Sequence, residues 1–114
     1  MNRDYAHLDD ILKAARAIAE HVRGMDEEAF LADPKTRDAV LYELAILGEA
    51  VKRLSGELRQ ARPEIDWKSI AGLRDVVIHR YHRILAPQIW RIVIRDVPPL
   101  IPLIEAILPP EDEF

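Results

Sequence analysis

The sequence predicts an all-α fold, an up-and-down bundle of four to five helices, and three observations predict it. Apolar residues recur in steps of three and four along most of the 114-residue chain, the period of a helix with one buried face. No segment sustains the two-residue alternation of a strand, and no hairpin turn signature occurs. Proline, glycine and acidic capping residues fall between the periodic segments, where a helical chain must stop and restart. A chain of this length can bury one core. The expected organisation is therefore one helical domain over residues 1–110 and an acidic tail over 111–114.

The first helix is expected from about Asp4 to Val22, with a stripe of Tyr5, Leu8, Leu12, Ala15, Ala19 and Val22 and with Ile11 and Ile18 beside it. Gly24 follows as a C-terminal stop. Asp26 can cap a short acidic turn ending at Leu31, in which Phe30 plugs the core. Asp33 and Pro34 read as N-cap and first residue of a second long helix, expected from Pro34 to Gln60. Its stripe is Val40, Leu44, Leu47, Val51, Leu54 and Leu58. Gly48 interrupts that helix at a cost of about 1 kcal/mol relative to alanine, which points to the close approach of a neighbouring helix. Gly56 is a second weak point.

Arg62 to Asp66 forms a linker closed by Asp66 as N-cap, and a third helix is expected from Trp67 to about Arg83. Ala86-Pro87 restarts the chain into a fourth helix carrying Ile89, Trp90, Val93, Ile94 and Val97, which Pro98-Pro99 should break. A last piece runs from Leu100 to Leu108 and ends at Pro109-Pro110.

Composition narrows the functional classes. The chain has no cysteine, which excludes disulfides, thiolate zinc sites and a cysteine nucleophile. Its apolar runs are too short to span a bilayer, and its N-terminus lacks the apolar core of a signal peptide, so a cytoplasmic protein is expected. The net charge of −4 is unevenly distributed. Between Arg62 and Arg95 seven basic residues face three acids, a local charge of +4, while the rest carries −8. A solvated basic helix face and a polyanion site account equally well for that segregation.

Phosphate-cradling glycine loops, HExxH and Gly-x-Ser-x-Gly patterns are absent. His7, Asp9 and Asp10 could suggest a metal cluster, but they read better as a solvated first turn that favours the helix dipole. His21 reads as a dipole partner at the other end. Neither a metal nor a cofactor is expected. The stretch Gly72 to Arg83 is richer in chemistry, with Arg74, Asp75, His79, Arg80, Tyr81, His82 and Arg83 within twelve residues. At about 100° per residue, Arg74 and Tyr81 share a helix face, whereas Arg74 and His79 stand about 140° apart. Both can act on one substrate only if the helix distorts or if two chains share their residues across a symmetric interface. Histidine can move a proton near neutral pH and arginine can hold a phosphate, a pairing suited to metal-free RNA cleavage. The plain alternative is a surface helix of salt-bridging residues, with Asp75 and His79 as an i,i+4 pair.

Arg74-x4-His79-x-Tyr81 resembles the R-x4-H-x-Y motif of HepT-type toxins, a branch of the HEPN superfamily. The resemblance takes in Asp10-Ile11-Leu12, Leu47-Gly48-Glu49-Ala50 and Asp66-Trp67-x2-Ile70-x-Gly72-Leu73-Arg74. It continues through Ile78-His79-x-Tyr81 and Trp90 to Asp96-Val97-Pro98-x-Leu100, nearly the whole chain. It implies a HEPN-like homodimer in which Arg74 and His79 of both subunits line a shared cleft. The implied activity is a metal-independent endoribonuclease acting on tRNA or mRNA. In it the RNA 2′-hydroxyl attacks the adjacent phosphate, His79 serves as general base or acid, and Arg74 binds the phosphate. The resemblance also implies a toxin–antitoxin pair, with an MntA-like minimal nucleotidyltransferase as antitoxin and Tyr81 as the AMPylated residue.

The chain departs from the family at two positions. Asp75 stands where asparagine is frequent, and His82 where an aromatic residue is frequent. Asp75 could orient His79 or repel RNA phosphate, and Asp75, Arg80, His82 and Arg83 are the expected supporting residues. A second reading makes the chain a non-catalytic helical partner that binds and regulates a minimal nucleotidyltransferase. A third makes it a dimerisation module.

Overall fold

The computed structural model describes residues 2–79 and 86–110. Among them the chain is all-α, with no strand. The helices are α1 (Asn2–His21), α2 (Glu27–Leu31), α3 (Pro34–Lys52), α4 (Gly56–Ala61), α5 (Trp67–His79), α6 (Ala86–Arg91) and α7 (Leu100–Ile107). A π-helical turn over Ile92–Asp96 extends α6. α3 is the central element, packed between α1 and α5, while α7 closes on α1 and α2 packs against α6. No described helix is long and apolar enough to cross a membrane.

Local signals set the helix starts as expected. The Asp26 carboxylate accepts from the Ala29 amide, and Asp33 accepts from both the amide and the hydroxyl of Thr36, with Pro34 in the first helical position. Asp66 does the same for Ser69 at the head of α5. Gly24 adopts a φ of +75°, the left-handed conformation that ends α1. Phe30 is fully buried and stacks at a tilt on Trp90, with ring centroids 5.2 Å apart.

Three expectations need correction. The helix expected from Pro34 to Gln60 breaks after Lys52 and restarts at Gly56. The new start is set by Ser55, a local cap, and by the residue that binds it from 51 residues away, Asp4 in α1. Its side chain is 1% exposed and accepts from the Ser55 amide at 2.9 Å and the Ser55 hydroxyl at 2.7 Å. Ser55 Oγ in turn accepts from the Leu58 amide and caps α4. Desolvation pushes the Asp4 pKa upward, but the two Ser55 hydrogen bonds, with the positive N-terminus and His7, hold it below its ordinary value. Val51, Leu54 and Leu58 remain buried across the break, so the stripe survives although the helix does not.

The core face of α1 is also rotated from the expected stripe. Ile11 and Ile18 lie at its centre with Leu8, Ala14 and Ala15, whereas Ala19 is exposed. In the helix expected after Ala86-Pro87, the Val97 amide bonds the Ile92 carbonyl five residues back. That π turn keeps Val93 and Val97 inside while Ile94 faces solvent.

Candidate functional site

The seam between α3 and α5 carries the described part of the candidate site. Its geometry begins with Gly48. A Cβ built at this position would lie 2.7 Å from the Arg74 backbone nitrogen and 2.8 Å from the Arg74 Cβ. Only glycine lets α5 settle this close to α3. The close approach read from Gly48 is therefore real, and the residue it admits is Arg74.

Side chains on either side of that contact interlock with alternating sign. Glu49 Oε2 lies 2.5 Å from Arg74 Nε, and Lys52 Nζ lies 2.7 Å from Asp75 Oδ1. The second Glu49 oxygen, Oε1, is 3.4 Å from Arg53 Nε, and Asp75 Oδ1 lies 3.6 Å from Arg74 Nη1. Two residues three apart on α3 thus hold two consecutive residues of α5, anion to cation and cation to anion. The side chains of Arg74 and Glu49 are 34% and 36% exposed, so the pair can reach a ligand at the surface.

Glu49 and Arg53 also form one wall of a shallow groove of about 300 Å³ between α1 and α3. His7 and Asp10 line its other side, and Tyr42, 67% exposed, stands at its edge. Asp9 is occupied elsewhere, paired with Lys13 at 2.8 Å. No group of three metal-ligating side chains occurs among the described residues.

Of the expected site residues, Arg74 and Asp75 are brought together on α5, and its backbone remains α-helical through His79. The helix is thus undistorted between positions 74 and 79, which keeps them about 140° apart around its axis. Arg80, Tyr81, His82 and Arg83 lie outside the described residues, as does the side chain of His79. Asp75 meets Lys52, which partly offsets the charge that could repel phosphate. Two arginines of the basic segment meet acids from outside it, Arg74 with Glu49 and Arg95 with Asp96, while Lys52 from outside offsets Asp75 within it.

Sequence reasoning missed the roles of Glu49 and Lys52. One signal pointed to them: they lie one and four residues after the glycine that marks the close approach.

The family model described as ribonuclease HepT-like matches residues 11–107. A protein of Thermococcus cleftensis named "Probable ribonuclease HepT" is 38% identical over 99 residues, covering 87% of this chain and 88% of its own length. A "Putative RNase" of Methanocaldococcus jannaschii is 42% identical over 103 residues, with 90% and 85% covered. Another "Putative RNase", from Caldanaerobacter subterraneus subsp. tengcongensis, is 36% identical over 105 residues, with 92% and 94% covered. No solved structure gives a significant match.

Proposed function

The chain belongs to the ribonuclease HepT-like family, and on that premise we propose that it is a metal-independent endoribonuclease toxin working as a homodimer. The observation that carries this reading is the complete Arg74-x4-His79-x-Tyr81 set, with Arg74 seated against α3 by Gly48. The 140° between positions 74 and 79 on a regular helix favours a cleft shared between two subunits.

In the proposed reaction the RNA 2′-oxygen attacks the adjacent phosphorus as its proton passes to a base. The bond to the 5′-oxygen then breaks, and that oxygen takes a proton. His79 of one subunit supplies the proton transfer at one of these oxygens, and its symmetry mate can serve the other. The Arg74 guanidinium binds the phosphate and the charge that develops on it. The protein supplies no nucleophile, consistent with the absence of cysteine. Neutralisation proceeds through an MntA-like nucleotidyltransferase that transfers AMP from ATP to the Tyr81 hydroxyl oxygen, which loses its proton as pyrophosphate leaves. The added phosphodiester would engage Arg74 with an internal anion and block RNA.

Purified protein incubated with total tRNA in EDTA tests the reading beside a folded His79→Ala control. Cleavage that survives EDTA and disappears in the variant is the expected result. Intact tRNA with protein of unmodified mass would instead favour a regulatory partner of the nucleotidyltransferase. An AMP adduct in the intact mass would mark a neutralised toxin.

A further inference from the structure

Glu49 is the charged residue closest to Arg74, and the proposed chemistry gives it no part. It meets Nε, the inner nitrogen of the guanidinium, while the outer edge carries the two Nη nitrogens in the parallel geometry that grips a phosphate. Asp75 approaches that outer edge only to 3.6 Å from Nη1, beyond hydrogen-bond length, and is itself engaged by Lys52 at 2.7 Å. Gly48 fixes the Arg74 backbone and Glu49 fixes the far end of its side chain.

Resting on the reading of Arg74 as the phosphate-binding group, we infer that Glu49 is a positioning residue that holds the guanidinium by Nε and presents its outer edge to the scissile RNA phosphate. A long arginine side chain loses much rotamer freedom when it grips a ligand, and a partner that orders it beforehand removes that cost from the reaction. The same carboxylate places a negative charge beside an incoming phosphate and so opposes binding in the ground state. The two effects act on different kinetic constants. Glu49 should raise the rate of the bound complex while weakening RNA binding.

That opposition supplies the test. Single-turnover cleavage of total tRNA is measured over a range of protein concentrations for wild type, Glu49→Ala, Glu49→Gln and Arg74→Ala, with each fold checked by circular dichroism. Positioning predicts that Glu49→Ala loses about tenfold or more in the saturating rate, while its half-saturating concentration stays level or falls. Glu49→Gln keeps the side-chain length and a polar oxygen beside Nε, and should recover most of the rate while keeping the tighter binding.

A saturating rate in Glu49→Ala that equals or exceeds wild type, with Arg74→Ala inactive, overturns the inference and leaves the role of Arg74 standing. A lower rate with weaker binding and a lower melting temperature, not rescued by glutamine, assigns Glu49 a structural role and also overturns it. An Arg74→Ala variant as active as wild type removes the reading of Arg74, and the inference with it. Intact tRNA with unmodified wild type removes both.

Discussion

Two polar tethers meet the C-terminal part of α3, and they are made of different materials. At the α3–α4 break, Asp4 is buried, and it accepts from an amide and a hydroxyl of Ser55, two neutral donors. At the α3–α5 seam, Glu49, Lys52, Arg74 and Asp75 form pairs of full charges whose side chains are 34% to 48% exposed. A buried carboxylate is kept only where its hydrogen bonds replace those of water, and such an arrangement has no ligand to spare. Half-exposed ion pairs contribute little to stability and leave charged groups within reach of an arriving anion. The first tether shapes the chain, whereas the second is suited to meeting something else.

The largest effect should come from breaking the buried tether. Asp4→Ala removes two hydrogen bonds to a charged acceptor and leaves the Ser55 amide without it, a loss of about 3 kcal/mol. Thermal unfolding should then occur roughly 10 °C lower. The pH dependence sharpens the point. The folded-state pKa of Asp4 lies below its ordinary value of 3.8, so its contribution is complete above that pH and is lost as pH falls through the lowered value. Asp33 and Asp66, lowered chiefly by the side-chain hydrogen bonds from Thr36 and Ser69, act in the same direction. Acid titration of stability should therefore be shallower in Asp4→Ala than in wild type. An equal slope would sink the assignment of Asp4 as an acid-sensitive tether.

The glycines offer the next contrast. Gly48→Ala forces a methyl to 2.7 Å from the Arg74 nitrogen, and because that neighbour is backbone, α5 must move. A cost of about 1 to 3 kcal/mol is expected from such overpacking. Gly72→Ala, on α5 itself, meets nothing within 4 Å and should gain up to about 1 kcal/mol from helix propensity. Opposite signs for one chemical change, measured by urea unfolding, would establish that the seam and not glycine content sets the effect.

How much of this was legible in the sequence depended on how far apart the cooperating residues lie. Asp26, Asp33 and Asp66 each cap an amide three residues on, and every one was visible as a local pattern. Gly48 was legible because a glycine amid an apolar stripe has few other uses. Its contact, Arg74, was not, since a residue on another helix leaves no trace in local spacing. The break at Ser55 was legible in part: Ser55 caps the amide of Leu58 three residues on, a local pattern like the others, whereas the Asp4 carboxylate that binds Ser55 from α1 leaves no local trace. The π turn was hidden differently, because an extra residue in a turn shifts the apolar period by one position and reads as an ordinary imperfection. The motif of the candidate site was legible through its spacing and its resemblance to a family, whereas the pairing of Arg74 with Glu49 required the fold.

The smallest expected change in stability is also the most informative about the seam. Lys52→Ala breaks a half-exposed ion pair, a loss of roughly 0.2 to 1 kcal/mol that should fade in high salt. RNA should notice more than the fold does. Without Lys52, the Asp75 carboxylate beside Arg74 is less compensated, and affinity for RNA should fall. Asp75→Asn in the Lys52→Ala background removes that charge and should restore binding, because the amide cannot repel phosphate. In the wild-type background the same change should matter less, since Lys52 already offsets the carboxylate. Filter-binding titrations of the two single variants and the double variant would give the coupling directly. Additive effects on RNA affinity would show that Lys52 and Asp75 act independently and that the pair is only a strut between helices. Compensation in the double variant would show that α3 also adjusts the charge that α5 presents.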